Sequence, residues 1–112
     1  MENKEVIRAF YDEFFNKHDV DSADKYVRKD YIQHNPGVNQ GREALKQAFA
    51  DKCKEHPEFH LNIVKMIEED NVVAVYLKNV DRGGNTICRV VDIYRLEDGM
   101  LAEHWDVLQP CK

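Results

Sequence analysis

The chain has 112 residues, of which 43% are hydrophobic and 33% charged, and a formal net charge of −5. This length fits one domain, residues 1–112, with enough apolar residues for a real core and no room for a second domain. The acidic balance, with no basic cluster, argues against nucleic acid and anionic membrane surfaces as partners, and no apolar run approaches the roughly 20 residues of a membrane-spanning helix.

The opening "MENKEVIRAF" is charged from its second residue and has no apolar h-region, so no signal peptide is expected. From Asn3, the apolar pairs Val6/Ile7, Phe10/Tyr11 and Phe14/Phe15 recur every four residues and predict a helix with one broad core-facing stripe. Asn3 can cap its start, and Lys17 and His18 suit the negative end of its dipole. "DVDSADKYVRKDY" predicts a short helix with Val20, Ala23, Tyr26 and Val27 on one side. "YIQHNPG" is a brief extended segment stopped by Pro36 and Gly37. "GREALKQAFADKCKEHP" is a third helix, with Leu45, Ala48, Phe49 and Cys53 at helical spacing and Pro57 just beyond its end.

After Pro57 the period changes. "EFHLNIVKMIEE", "NVVAVYLKNV", "NTICRVVDIYRL" and "MLAEHWDVLQ" predict four long strands, separated by the turn signals Glu69-Asp70-Asn71, Arg82-Gly83-Gly84 and Asp98-Gly99. Helices first and a sheet after them give an α+β class, with helices packed on one face of a mostly antiparallel sheet. Strand parity then sorts the side chains. Arg89, Val91, Ile93 and Arg95 share one face, and the two arginines place the set Cys88, Val90, Asp92 and Tyr94 on the inner one. In the last strand Ala102, His104, Asp106 and Leu108 oppose Leu101, Glu103, Trp105 and Val107. Cys53, Cys88 and Cys111 are odd in number and dispersed, which fits a reducing cytoplasm better than a disulfide scaffold.

Two stretches, "YIQHNPGVNQGREALKQAF" and "VVDIYRLEDGMLAEHWDVLQ", carry a resemblance that extends over essentially the whole chain. The sequence resembles the SnoaL-like polyketide cyclases, within the nuclear-transport-factor-2-like superfamily that also holds ketosteroid isomerase. The resemblance implies a cone, in which three N-terminal helices pack in the concave face of a curved sheet around one pocket. It implies that Asp106 matches the acid/base aspartate of the cyclases, that His34 lines the same pocket, and that Ala102, His104, Asp106 and Leu108 point inward. Trp105 then falls on an outer face through which family members dimerise.

His104 and Asp106 stand two apart on one strand face, where a carboxylate beside an imidazole can act as an acid/base pair or form a mutually satisfied buried polar pair. Asp92 is costly to bury alone, and either meets water in the pocket or pairs with Arg82, Tyr94 or His34. Asn35 suits an Asx-type turn before Pro36. Tyr11, Tyr26 and Phe49 belong to aromatic stripes that build the core and, near the mouth of a cone, also the pocket wall. His34, His104 and Asp106 would supply a two-histidine, one-carboxylate metal set, but no local ligand motif accompanies them, so neither a metal nor another cofactor is expected. Two enzymes of the superfamily fit less well. Asn35 stands where a steroid isomerase would carry its carboxylate, and "NVVAVYLKNVDR" lacks an inward Arg-x-Asp pair of an epoxide hydrolase.

The expected function is therefore proton transfer next to a carbonyl, as in an aldol-type condensation, cyclisation or isomerisation. Asp106 would shuttle the proton, His34 would stabilise the enolate oxygen, and His104 or Asp92 would tune the pair. The pocket residues expected around them are Asn35, Asp92, Tyr94, Tyr11, Tyr26 and Phe49, and the partner is a small apolar or carbonyl-containing ligand. The alternative is a non-catalytic binding or dimerisation module of the same fold. The apolar outer face of Val91, Ile93, Trp105 and Val107 predicts a homodimer.

Overall fold

The computed structural model describes residues 1–111, so Lys112, included in the expected domain, lies outside the described residues. The first helix has two parts. Helix α1, Asn3–Phe10, is α-helical, and Tyr11–Asn16 continues it as a π-helical segment, in which Lys17 N–H donates to the Asp12 carbonyl five residues back at 3.0 Å. The cap is Glu2 rather than Asn3, because Glu2 and Glu5 form a reciprocal capping box, and Asn3 instead donates to Glu68. The wider π turn keeps Tyr11 and Phe14 buried, with Phe15 half-buried beside them.

A 3-10 turn, Val20–Ser22, leads into the short helix α2, Ala23–Tyr26. The helix ends at Tyr26, and strand β1, Val27–Gln33, starts four residues before the expected extended segment. Arg28, Lys29 and Asp30 hide this strand from a hydrophobic pattern. Its partner is distant in sequence: β1 runs parallel to the last strand, with Gln33 opposite His104. Helix α3, Arg42–Glu55, follows as expected.

Strands β2 (His60–Glu69), β3 (Val72–Val80), β4 (Thr86–Glu97) and β5 (Met100–Pro110) form the antiparallel meander, and the sheet order is β1-β5-β4-β3-β2. Asp98 and Gly99, both at positive φ, make the tight turn that returns β5 along β4. The helices cover one face of this mixed sheet, so the class is the α+β arrangement expected from the sequence. Between the layers, Phe10 stacks on Phe14 at 4.8 Å and Phe14 on Phe49 at 4.7 Å, tying α3 to the first helix. Each such buried ring contributes about 1.5–3 kcal/mol. Val90, Asp92, Tyr94 and Leu96 point into the core and alternate with more exposed residues, so the two arginines mark the outer face of β4. Among the described residues no helix is long and apolar enough to cross a membrane.

Candidate functional site

The inner face of β4 and β5 carries polar groups into an otherwise apolar layer. Asp92 and Asp106 are direct cross-strand partners, and His104 sits two residues before Asp106 on the same face. One ligating atom from each of the three lies within 4.8 Å of the others. Asp92 and His104 are buried and Asp106 is half-buried.

The hydrogen bonds fix this group from three sides. His104 Nε2 meets Asp92 Oδ1 at 2.9 Å, and His104 Nδ1 meets the Gln33 side-chain oxygen at 2.7 Å. That oxygen also accepts from the Asn35 backbone N–H at 3.1 Å, so it is an acceptor and Nδ1 must donate to it. A proton therefore lies between Nε2 and Asp92, carried by one or the other. On its second oxygen Asp92 accepts from the Tyr11 hydroxyl. Tyr11 in turn accepts from Tyr94, whose hydroxyl lies at 2.8 Å. Burial, and after it the negative charge of Asp92, raise both phenols well above the ordinary tyrosine range. Burial, Asp92 and Asp106 do the same for Tyr31. These rings stay protonated, and Tyr11 and Tyr94 serve as donors.

Asp106 is held differently. Asn35 Nδ2 donates to one of its oxygens at 2.9 Å, and the other has no donor among the described residues. Asn35 is locked by its own turn, since its side-chain oxygen accepts from Gly37 N–H at 2.8 Å and its carbonyl from Val38 N–H at 3.1 Å. The expected Asx turn is thus also the arm that positions Asp106.

These groups border a cavity of about 310 Å³. Its polar side is Gln33, Asn35, Asp92, Tyr94, His104 and Asp106, and its apolar wall includes Phe15, Leu45, Phe49, Phe59 and Leu77. The size is at the small end of ligand pockets, and an apolar wall with a few convergent polar groups is the usual make-up of one.

The predicted site residues divide cleanly. Asp106, His104, Asp92, Asn35, Tyr94 and Phe49 meet at the cavity. Tyr11 lies behind it, as the donor that holds Asp92. Tyr26 does not reach it, because its hydroxyl bonds Glu13 near the surface. His34 does not reach it either. Gln33 points inward, so period-two alternation turns His34 to the outer face, where it stacks on Trp105 at 4.8 Å with the rings nearly parallel. There it bonds Glu103 at 2.7 Å, and His34 together with Arg95 holds the Glu103 carboxyl below its ordinary range. The partners of Asp92 are Tyr11 and His104, not Arg82 or His34. The three-residue group that could offer ligands to a metal is Asp92, His104 and Asp106, without His34.

Gln33, Phe15, Phe59 and Lys52 also line the cavity, beyond the residues expected from the sequence. Gln33 was within reach of the sequence, since it shares parity with Tyr31 and Asn35. The other three depend on how the helices and the start of β2 meet.

A family model described as SnoaL-like polyketide cyclase matches residues 5–111. The chain belongs to the SnoaL-like polyketide cyclase family. Solved structures agree on the fold. A candidate polyketide cyclase from Acidithiobacillus ferrooxidans has a TM-score of 0.82 at 17% identity, covering 96% of this chain and 87% of that one. IdmH from Streptomyces antibioticus, described as a candidate polyketide cyclase, has a TM-score of 0.80 at 18% identity, covering 97% and 93%. A candidate isomerase of the SnoaL-like family from Agrobacterium tumefaciens has 0.82 at 9% identity, covering 96% and 97%. At such identities the likeness extends to the fold alone. No curated protein matches the chain in sequence.

Proposed function

We propose that this SnoaL-like protein binds a small apolar carbonyl compound and moves a proton at the carbon next to the carbonyl, without a cofactor. The observation that carries this reading is the pairing of one under-bonded carboxylate, Asp106, with a shared proton between His104 and Asp92 at the wall of an apolar cavity. Asp106 takes the proton from carbon through its free oxygen. The electron pair left behind moves onto the carbonyl oxygen, which lies beside His104 Nε2–H and shares that proton with Asp92 Oδ1 in a three-centre hydrogen bond. Asp92, fixed by Tyr11, steadies the charge on the ring. In such a cavity a fixed donor aimed at developing charge is worth more than in water. The resulting enol or enolate can reprotonate elsewhere or attack a second carbonyl, which gives isomerisation or an aldol-type cyclisation.

His34 has no direct role here, because its ring lies on the outer face. It acts at most through its neighbour Asn35. The outer face of Val91, Ile93, Trp105 and Val107, with Val107 68% exposed, supports a homodimer through that side of the sheet.

The test is deuterium exchange at the carbon next to the carbonyl of an aryl methyl ketone, followed by NMR with wild-type protein and Asp106→Asn. The wild type accelerates exchange and the variant, still folded by circular dichroism, does not. Equal exchange by both would overturn the assignment.

A further inference from the structure

The cavity has one cationic side chain in its wall besides the histidine: among the described residues, Lys52 is the one lysine or arginine that lines it. Lys52 sits in the last turn of α3, with its ammonium 4.9 Å from the centre of the Phe59 ring. The chain carries an excess of acidic residues, and its lysines at 17, 25 and 46 are engaged with carboxylates. Lys52 pairs with no carboxylate among the described residues, and its contact is an aromatic face.

Its place along the cavity matters. Lys52 and Asn79 both line this cavity and the adjoining hollow, which is also lined by Val80, Ile87 and the carboxylates Glu58 and Asp81; neither carboxylate lines the cavity itself, and neither forms an ion pair with Lys52. Asn79 pairs with Cys88, four residues along β4 from Asp92. At the rise of a strand that separation is about 13 Å. Lys52 therefore guards the end of the cavity remote from Asp92 and Asp106. Phe15, Phe49 and Phe59 lie in the wall with them.

An anionic group entering this cavity meets opposite fields at its two ends. Beside Asp92 and Asp106 it is repelled, because two carboxylates already stand there and the one histidine among them is bonded to Asp92. Beside Lys52, an exposed side chain whose ammonium lies over the Phe59 ring, it gains a cationic partner. We infer that the ligand is an amphipathic acid: an aromatic or alicyclic carbonyl compound whose ketone faces Asp106 and His104 and whose carboxylate, at the far end, is held by Lys52. This rests on the proposed proton transfer for the direction of the ketone, and on Lys52 alone for the acid. Lys52 is then a specificity residue that also sets the direction in which the substrate enters.

The experiment compares 3-(4-acetylphenyl)propionate with its methyl ester by titration calorimetry, using wild type, Lys52→Gln and, as a control, Lys54→Gln, whose lysine does not line the cavity. In wild type at low salt the acid should bind about fivefold more tightly than the ester, as expected for one ion pair near the surface. In Lys52→Gln the two should bind alike, with ester affinity unchanged, and Lys54→Gln should behave as wild type. Equal binding of acid and ester by wild type overturns the inference, as does a preference that survives in Lys52→Gln, or failure of both to bind. Deuterium exchange at the acetyl group, followed in the same samples, separates this from the catalytic reading. Exchange on the ester with no preference for the acid removes the anchor and leaves the base. A preference for the acid without exchange leaves the anchor and removes the base.

Discussion

Three tyrosines make the protein's response to alkali a sharp test of the buried network. Tyr11, Tyr31 and Tyr94 are buried, and each phenol is raised well above its ordinary range, first by burial and then by Asp92. The unfolded chain ionises these rings near pH 10, whereas the folded chain keeps them neutral, so unfolding above that pH releases protons. Stability from this source is complete below about pH 10 and is lost as pH rises toward the folded-state values. Each group costs about 1.4 kcal/mol per pH unit, and the three together about 4 kcal/mol per pH unit. A domain with a typical 5–15 kcal/mol of stability then survives only about one to four pH units beyond that point. The assay is a pH titration followed at once by tyrosinate absorbance and far-ultraviolet circular dichroism. Tyr11, Tyr31 and Tyr94 should ionise only as the helical signal disappears, and Tyr11→Phe should reduce the steepness of the loss by about a third. Ionisation of at least three of the five tyrosines with the circular dichroism intact would refute the reasoning.

Tyr11→Phe should also cost about 2–4 kcal/mol near neutral pH in urea denaturation, since it removes a donor from buried Asp92 and leaves the Tyr94 hydroxyl without its acceptor. Asn35→Ala frees Asp106 and unlocks the turn at Gly37, so it should lower proton exchange on a bound ketone more than it lowers the melting temperature. Loss of stability with exchange unchanged would count against Asn35 as the arm of Asp106. His34→Ala strips the stacked ring from Trp105, the one tryptophan, and should shift its fluorescence at pH 7. An unchanged spectrum would contradict the stack. Val107→Asp places a charge in the apolar outer face and should convert a dimer into a monomer in sedimentation, and a wild type that is already monomeric would remove the interface.

Much of this was legible from residue order because it depends on local periodicity. The four-residue repeat of Val6 to Phe15 fixed the first helix, and period-two alternation with Arg89 and Arg95 on one side fixed which face of β4 carries Asp92. The same alternation, carried one strand further back, would have turned His34 outward and brought in Gln33. Arg28, Lys29 and Asp30 disguise β1, and its partner, β5, is about seventy residues away, so the strand is not visible in the local pattern. Long-range pairing also explains the other gaps. Tyr11 reads as a core aromatic on its helix, and only the packing of that helix against β4 makes it the donor to Asp92. Lys52 reads as an exposed helical lysine, as it is, and its place at the cavity follows only when Phe59 and Asn79 are set beside it. The position of the aspartates follows from pattern, and their partners follow from assembly.

The most direct test of the site is a crystal structure of the protein with an aryl methyl ketone soaked into the cavity. The carbonyl oxygen should lie within hydrogen-bond reach of His104 Nε2, with the adjacent carbon facing the free oxygen of Asp106. A ketone found with its carbonyl pointing away from His104, or a cavity that excludes the compound while the protein stays folded, would contradict a catalytic role for Asp106 and His104.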